Sequence, residues 1–129
     1  QLSASLRNTP VLFQSYVEKE AEIRLTVVGE KFFPCRIDSQ ASERTKHDWR
    51  RYDFQKVAHS VCELPIEVET KIRWLMQRFG LVFGAIDLIL TPDGRYVFLE
   101  VNPAGQWHWI ETITGMTISR AIAEWLAGE

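Results

Sequence analysis

Asp87, Glu100 and Asn102 are the residues of this chain whose types and spacing best suit them for chemistry. They lie in Gly84-Ala-Ile-Asp87-Leu-Ile-Leu90 and Tyr96-Val-Phe-Leu-Glu100-Val-Asn102-Pro103, with Thr91-Pro-Asp93-Gly94-Arg95 between. Asp-Gly between two β-rich runs signals a hairpin with a tight two-residue turn. Setting Asp93 and Gly94 at the tip pairs Leu90 with Val97, Leu88 with Leu99 and Asp87 with Glu100. Asn102, two residues on, shares the face of Glu100. Two carboxylates and an amide oxygen then converge on one patch of sheet. Like charges placed opposite each other destabilise a bare hairpin, so a cation should offset them. Hard oxygen donors of this kind suit Mg2+ held together with substrate phosphates.

A solvated Asp or Glu on a half-exposed strand is the commoner arrangement. Here the other face of the hairpin (Ile86, Leu88, Leu90, Val97, Leu99, Val101) is wholly apolar and supplies a core by itself. The acidic face also carries Ile89 and Phe98, and the strand ends in the irregular Asn102-Pro-Ala-Gly105.

Other residues form weaker constellations. Pro10–Val17 reads as a strand, followed by the charged connection Glu18–Ala21. Extended backbone at Tyr16 and Val17 offers an N–H and C=O pair to an adenine edge, and a nearby Glu could take ribose hydroxyls. Any strand followed by charges looks similar, so this pattern alone says little. Arg24 sits mid-strand among apolar neighbours, where a guanidinium needs an anion: a phosphate, or an internal partner such as Glu22 or Asp38. Arg36 lies on the next strand and would join Arg24 if the hairpin had a three-residue loop. Asp48-Trp49-Arg50-Arg51 suits a peptide or another anionic partner, or an indole anchoring its loop. His47, His59 and His108 have no ligand spacing, and no nucleophile–histidine pattern or Gly-rich phosphate loop is readable.

Glu22–Val28 alternates, with Ile23, Leu25 and Val27 on one face and Glu22, Arg24 and Thr26 on the other. Gly29-Glu30 turns, and Lys31–Asp38 returns with Pro34 at an edge or bulge. Ser39–Tyr52 reads as a long loop and Phe54–Leu64 as a further strand. Pro65 opens a helix with an apolar stripe (Ile66, Val68, Ile72, Leu75, Met76, Phe79), ended by Gly80. After the Asp-Gly hairpin, Ala104–Trp109 is a loop. A last helix spans about Ile113–Leu126, with Ile118, Ala121, Ile122, Trp125 and Leu126 as its buried stripe and Gly128 as its stop. The expected class is α+β: an antiparallel sheet with helices packed on one face.

The length of 129 residues fits one domain, and 46% hydrophobic residues suffice for a core. A net charge of −2 shows no nucleic-acid or membrane footprint, and no apolar run spans a bilayer. Cys35 and Cys62 lack metal-ligand spacing and read as reduced thiols of a cytoplasmic protein, with a single disulfide left open.

Gly84-Ala-Ile-Asp87-Leu, Glu100-Val-Asn102-Pro-Ala-Gly105 and Ile113-Thr-Gly115-Met-Thr-Ile118 before a helix together resemble the C-terminal lobe of ATP-grasp ligases, in the RimK-like branch. Gly105-Gln-Trp107-His-Trp109-Ile-Glu, with Asp48-Trp-Arg50 and Pro10-Val-Leu-Phe-Gln14, resembles the microviridin-type (graspetide) peptide maturases. The resemblance implies an enzyme that phosphorylates a carboxylate with ATP and lets an amine or hydroxyl displace the phosphate. The donor would be a peptide or amino-acid carboxylate. By motif, Asp87, Glu100 and Asn102 would hold Mg2+, with Mn2+ admitted in its place. Gln14, Tyr16 and Val17 would line the adenine site. Glu22 would contact the ribose, with Glu20 as its rival. Arg24, and less directly Arg36, would face the phosphates. A homodimer is compatible with the resemblance.

Such ligases hold ATP between two lobes, and residues 1–129 match only the C-terminal one. With Gln1 in place of Met, the expectation is a C-terminal piece that binds Mg·ATP weakly and does not turn over alone. The rivals are an amino-acid ligase of RimK type and a non-catalytic, peptide-binding ATP-grasp remnant.

Overall fold

A computed structural model describes residues 10, 13–39 and 57–128. The Asp48-Trp-Arg-Arg segment lies outside the described residues. Five strands, β1 (Ala21–Val28), β2 (Lys31–Ile37), β3 (His59–Val61), β4 (Phe83–Leu90) and β5 (Tyr96–Asn102), form one sheet in the order β3-β2-β1-β4-β5. Every neighbouring pair is antiparallel. The class is α+β, as expected.

β1 lies at the centre and is buried along its whole length. Its alternation therefore sorts residues between two covered faces rather than between core and water. On one face Ile23, Leu25 and Val27 join Ile86, Leu88, Leu64, Ile72 and Met76 under α1 (Ile66–Phe79). On the other, Val28, Cys35 and Ile37 pack with Ile110 of α2 (His108–Thr114) and Ile118 and Ala121 of α3 (Ile118–Ala127). The helices therefore divide between the two faces, and the one-faced arrangement is corrected. The cause is that the Glu22–Arg24–Thr26 face also carries apolar Val28 on β1 and apolar Cys35 and Ile37 on β2, opposite Arg24 and Glu22, and these need their own cover. Each aliphatic side chain buried in this way contributes about 1.5–3 kcal/mol.

α1 begins directly after Pro65, whose carbonyl accepts from the Val68 and Glu69 N–H groups. Glu67 and Glu69 in the first turn suit the positive end of the helix dipole. Gly80 ends α1 in the left-handed conformation (φ 64°). Only Ile72 and Met76 of the predicted stripe are fully buried, and Ile66 and Phe79 are exposed.

Four expectations change. Residues 13–19 form no strand, and regular pairing starts at Ala21. Among the described residues of 57–64, only His59–Val61 is strand. The single last helix is two, because Gly115 turns left-handed (φ 73°) and its N–H closes α2 onto the Glu111 carbonyl at 2.8 Å. Trp125 and Leu126 are exposed rather than part of the stripe.

The β4–β5 hairpin differs near its tip. Leu90 pairs with Tyr96, Ile89 with Val97 and Leu88 with Phe98, one residue away from the two-residue-turn register. Thr91 closes a longer loop by binding the Arg95 carbonyl through both its N–H and its hydroxyl. A bulge between the Leu88 and Asp87 pairings then absorbs one extra residue of β5 and brings Asp87 opposite Glu100 as predicted. Phe98 consequently lies against Leu88, on the α1 side, and Val97 moves to the acidic face.

Candidate functional site

The site grows out of the register of three strands. Arg24 of β1 pairs with Asp87 of β4, and Asp87 pairs with Glu100 of β5, so the three side chains cross one face in a row. The adjacent row on the same face is Thr26, Ala85 and Asn102. Glu22 stands two residues before Arg24, about 7 Å away at the rise of a strand.

Arg24 is the hub. Its Nη1 donates to Asp87 Oδ1 at 2.8 Å and its Nη2 to the Gln106 carbonyl at 3.3 Å. The Arg24 and Asp87 side chains are 7% and 8% exposed. The internal partner of Arg24 is thus Asp87, rather than Glu22 or Asp38. The cation that offsets Asp87 is a residue of the chain itself.

Gly105 makes this possible. A Cβ there would meet the Ala85 Cβ at 2.3 Å and Arg24 Nη2 at 3.1 Å. Only a glycine lets the exit of β5 fold back over the row and bring the Gln106 carbonyl to Arg24. Asn102 organises the same turn, its Oδ1 accepting the Ala104 N–H at 2.9 Å and its carbonyl accepting the Gly105 N–H at 3.2 Å. Glu100 and Asn102 are exposed beside the buried pair.

Glu22 is buried and ion-paired with buried Lys19. Gln14 and Tyr16 lie on an exposed, irregular lead-in, with Val17 half-buried. Arg36 does not join Arg24. The hairpin turn at Gly29-Glu30 holds two residues, so Arg36 pairs with Ile23 and projects from the opposite face. There it donates to Asp38 at 2.8 Å and to Glu20 at 2.9 Å. The bond to Asp38, then that to Glu20, favours its charged form further. Lys19, Gly105 and the Gln106 carbonyl escaped the sequence reading. Only the Asn-Pro-Ala-Gly exit hinted at the last two.

Among the described residues no group of three or more His, Cys, Asp or Glu side chains could hold a metal ion. Two carboxylates and an amide oxygen nevertheless fit Mg2+ chemically, because that ion takes one or two protein carboxylates and completes its shell with phosphates and water. The exposed side of the row leaves room for such a ligand.

No protein-family model matches the chain. A RiPP-associated ATP-grasp ligase of Chryseobacterium gregarium, solved in complex with ADP and a leader and core peptide, is 38% identical with a TM-score of 0.82. That match covers 89% of this chain and 35% of the other. The macrocyclase MdnC of Microcystis aeruginosa MRC, bound with precursor peptide MdnA, is 42% identical with a TM-score of 0.73, covering 87% of this chain and 34% of the other. A tetrahydromethanopterin:alpha-L-glutamate ligase of Methanococcus maripaludis is 26% identical over 103 residues, which is 80% of this chain and 33% of that protein. The chain therefore has the fold of one part of the ATP-grasp ligases and spans about a third of their length. Within that class it is similar to the RiPP-associated ligases, as the sequence motifs implied.

Proposed function

We propose that residues 1–129 are the C-terminal lobe of an ATP-grasp ligase that activates a carboxylate of a ribosomally made peptide and joins it to an amine or hydroxyl. The observation that carries this reading is the order of groups along β1 and its neighbours. Glu22, then Arg24 with Asp87 and Glu100, then Asn102 follow one another on one face, and the lead-in at Gln14–Val17 precedes Glu22 along the chain. Base, ribose and phosphates follow one another in ATP in the same sense.

In this reading the backbone of Gln14, Tyr16 and Val17 takes the adenine edge and Glu22 accepts ribose hydroxyls. Arg24, held by Asp87 and the Gln106 carbonyl, presents a fixed positive charge to the phosphates. A pre-set charge needs no reorganisation when the donor carboxylate takes the γ-phosphoryl group. Asp87, Glu100 and Asn102 would hold Mg2+, with Mn2+ as a substitute, and the ion supplies neutralisation of phosphate charge. The acyl phosphate then loses phosphate to the amine or hydroxyl of the acceptor. The likeness to ligases solved with ADP, a leader and core peptide, or a precursor peptide supports ATP and a peptide as partners. No described helix is long and apolar enough to cross a membrane.

The experiment is to incubate the complete ligase with ATP, Mg2+ and the peptide encoded beside it, and to follow the peptide by mass spectrometry. Loss of one water per crosslink is expected. Addition of an amino acid to the substrate would instead favour a RimK-type ligase, a reading the glutamate-ligase relative supports. Binding without ATP-dependent mass change would point to a remnant.

A further inference from the structure

We infer that Lys19 is a positioning residue for the nucleotide's ribose, acting through Glu22. This inference rests on the functional reading above. Lysine normally keeps its ammonium in water by extending its stem along the surface. Here the Lys19 side chain is 4% exposed and its Nζ bonds Glu22 Oε1, whose side chain is 9% exposed. Burying both ions costs several kcal/mol each, and such a pair adds little net stability over apolar residues of the same size. Its geometry is the better explanation for it.

The pair bridges residues i and i+3, across the junction where the irregular lead-in becomes β1. The junction is pinned to β4 by the Glu20 N–H, which donates to the Leu90 carbonyl at 2.8 Å. Glu20 itself turns to Arg36, on the opposite face, so Glu22 is the carboxylate left on the site face. Lys19 lies two residues after Val17 and binds Glu22 directly. It thereby fixes the base-binding backbone and the ribose-binding carboxylate relative to each other, with one Glu22 oxygen anchored and the carboxylate plane set.

The test uses the complete ligase and compares Kd for ATP and 2′-deoxy-ATP in wild type, Lys19→Met, Glu22→Gln and the double variant. Wild type is expected to prefer ATP by about tenfold, the worth of one charge-assisted hydrogen bond. Lys19→Met is expected to collapse that preference towards one and to raise KM for ATP while kcat stays within about twofold. It should have no further effect in the Glu22→Gln background. Lys19→Arg, which keeps the ion pair, is expected to restore most of the preference. Lys19→Gln, which keeps a donor without the charge, replaces Lys19→Met if that variant does not fold, and is expected to fall between. ATP binding with a preference unmoved by the neutral variants overturns the role of Lys19 alone. Absence of ATP binding by wild type overturns the functional reading and this inference with it.

Discussion

Arg24 Nη1 lies 2.8 Å from Asp87 Oδ1, with both side chains buried at the same register position of adjacent strands. A buried pair of this kind costs most when only one partner is removed, because an uncompensated charge stays behind. Asp87→Asn is therefore expected to lower folding stability by about 3–5 kcal/mol. The double variant Arg24→Met/Asp87→Asn should recover a large part of that loss. Urea denaturation of the four species of the cycle measures it, and additive single losses would show that the two groups do not act as a pair.

Gly105→Ala tests the close approach that brings the Gln106 carbonyl to Arg24. Its new methyl would collide with the Ala85 Cβ, so a loss of about 1–3 kcal/mol is expected from overpacking. Ala85→Gly in the same chain removes the obstructing atom and should relieve part of it. Thermal melts of the two variants read this directly.

Asn102 carries two duties, as turn acceptor and as proposed metal donor. Asn102→Ala loses the bond to the Ala104 N–H, worth about 1 kcal/mol. It should also raise the Mg2+ concentration needed for half-maximal turnover by about tenfold or more. A Mg2+ titration of the complete ligase separates the two effects, and an unchanged Mg2+ requirement removes Asn102 from the ligand set.

The sheet's second core carries a pH signature. Burial, and then the nearby Cys62, push the Cys35 thiol from 9.0 up to about 11, with the Ser60 backbone pulling slightly back. The folded chain holds this proton more tightly than the unfolded one. Its contribution to stability is complete below pH 9.0 and is lost as pH rises through the folded value of about 11. Urea midpoints of wild type and Cys35→Ala should converge across that window. A constant gap would mean that the thiol does not titrate differently on folding.

Sequence alone placed Asp87 opposite Glu100, but for an incomplete reason. An Asp-Gly pair implies a two-residue turn, and the longer Thr91–Arg95 loop shifts the tip by one. The bulge restores the pairing, and a bulge leaves no mark in a run of alternating apolar residues. The face of Arg36 was equally hidden, because it depends on whether the Gly29 turn holds two residues or three. The cover over the second face of β1 is not legible in the sequence, because Glu22, Arg24 and Thr26 look like a solvent side and only tertiary pairing makes their burial tolerable. The α1 boundaries were legible, because Pro65 and Gly80 act locally.

In the proposed reading these 129 residues supply one side of a nucleotide site, so on their own they are expected to bind Mg·ATP weakly and to turn nothing over. Robust ATP-dependent ligation by the isolated chain would contradict that division of labour.

Glu100 offers the most direct test of the central claim that the Arg24–Asp87–Glu100 row is a metal and phosphate site. It is exposed, so Glu100→Gln should leave stability within about 0.5 kcal/mol of wild type. In the complete ligase, Mg2+-dependent phosphate release from ATP should fall by about a hundredfold or more in that variant. Wild-type release at an unchanged Mg2+ requirement would contradict the account.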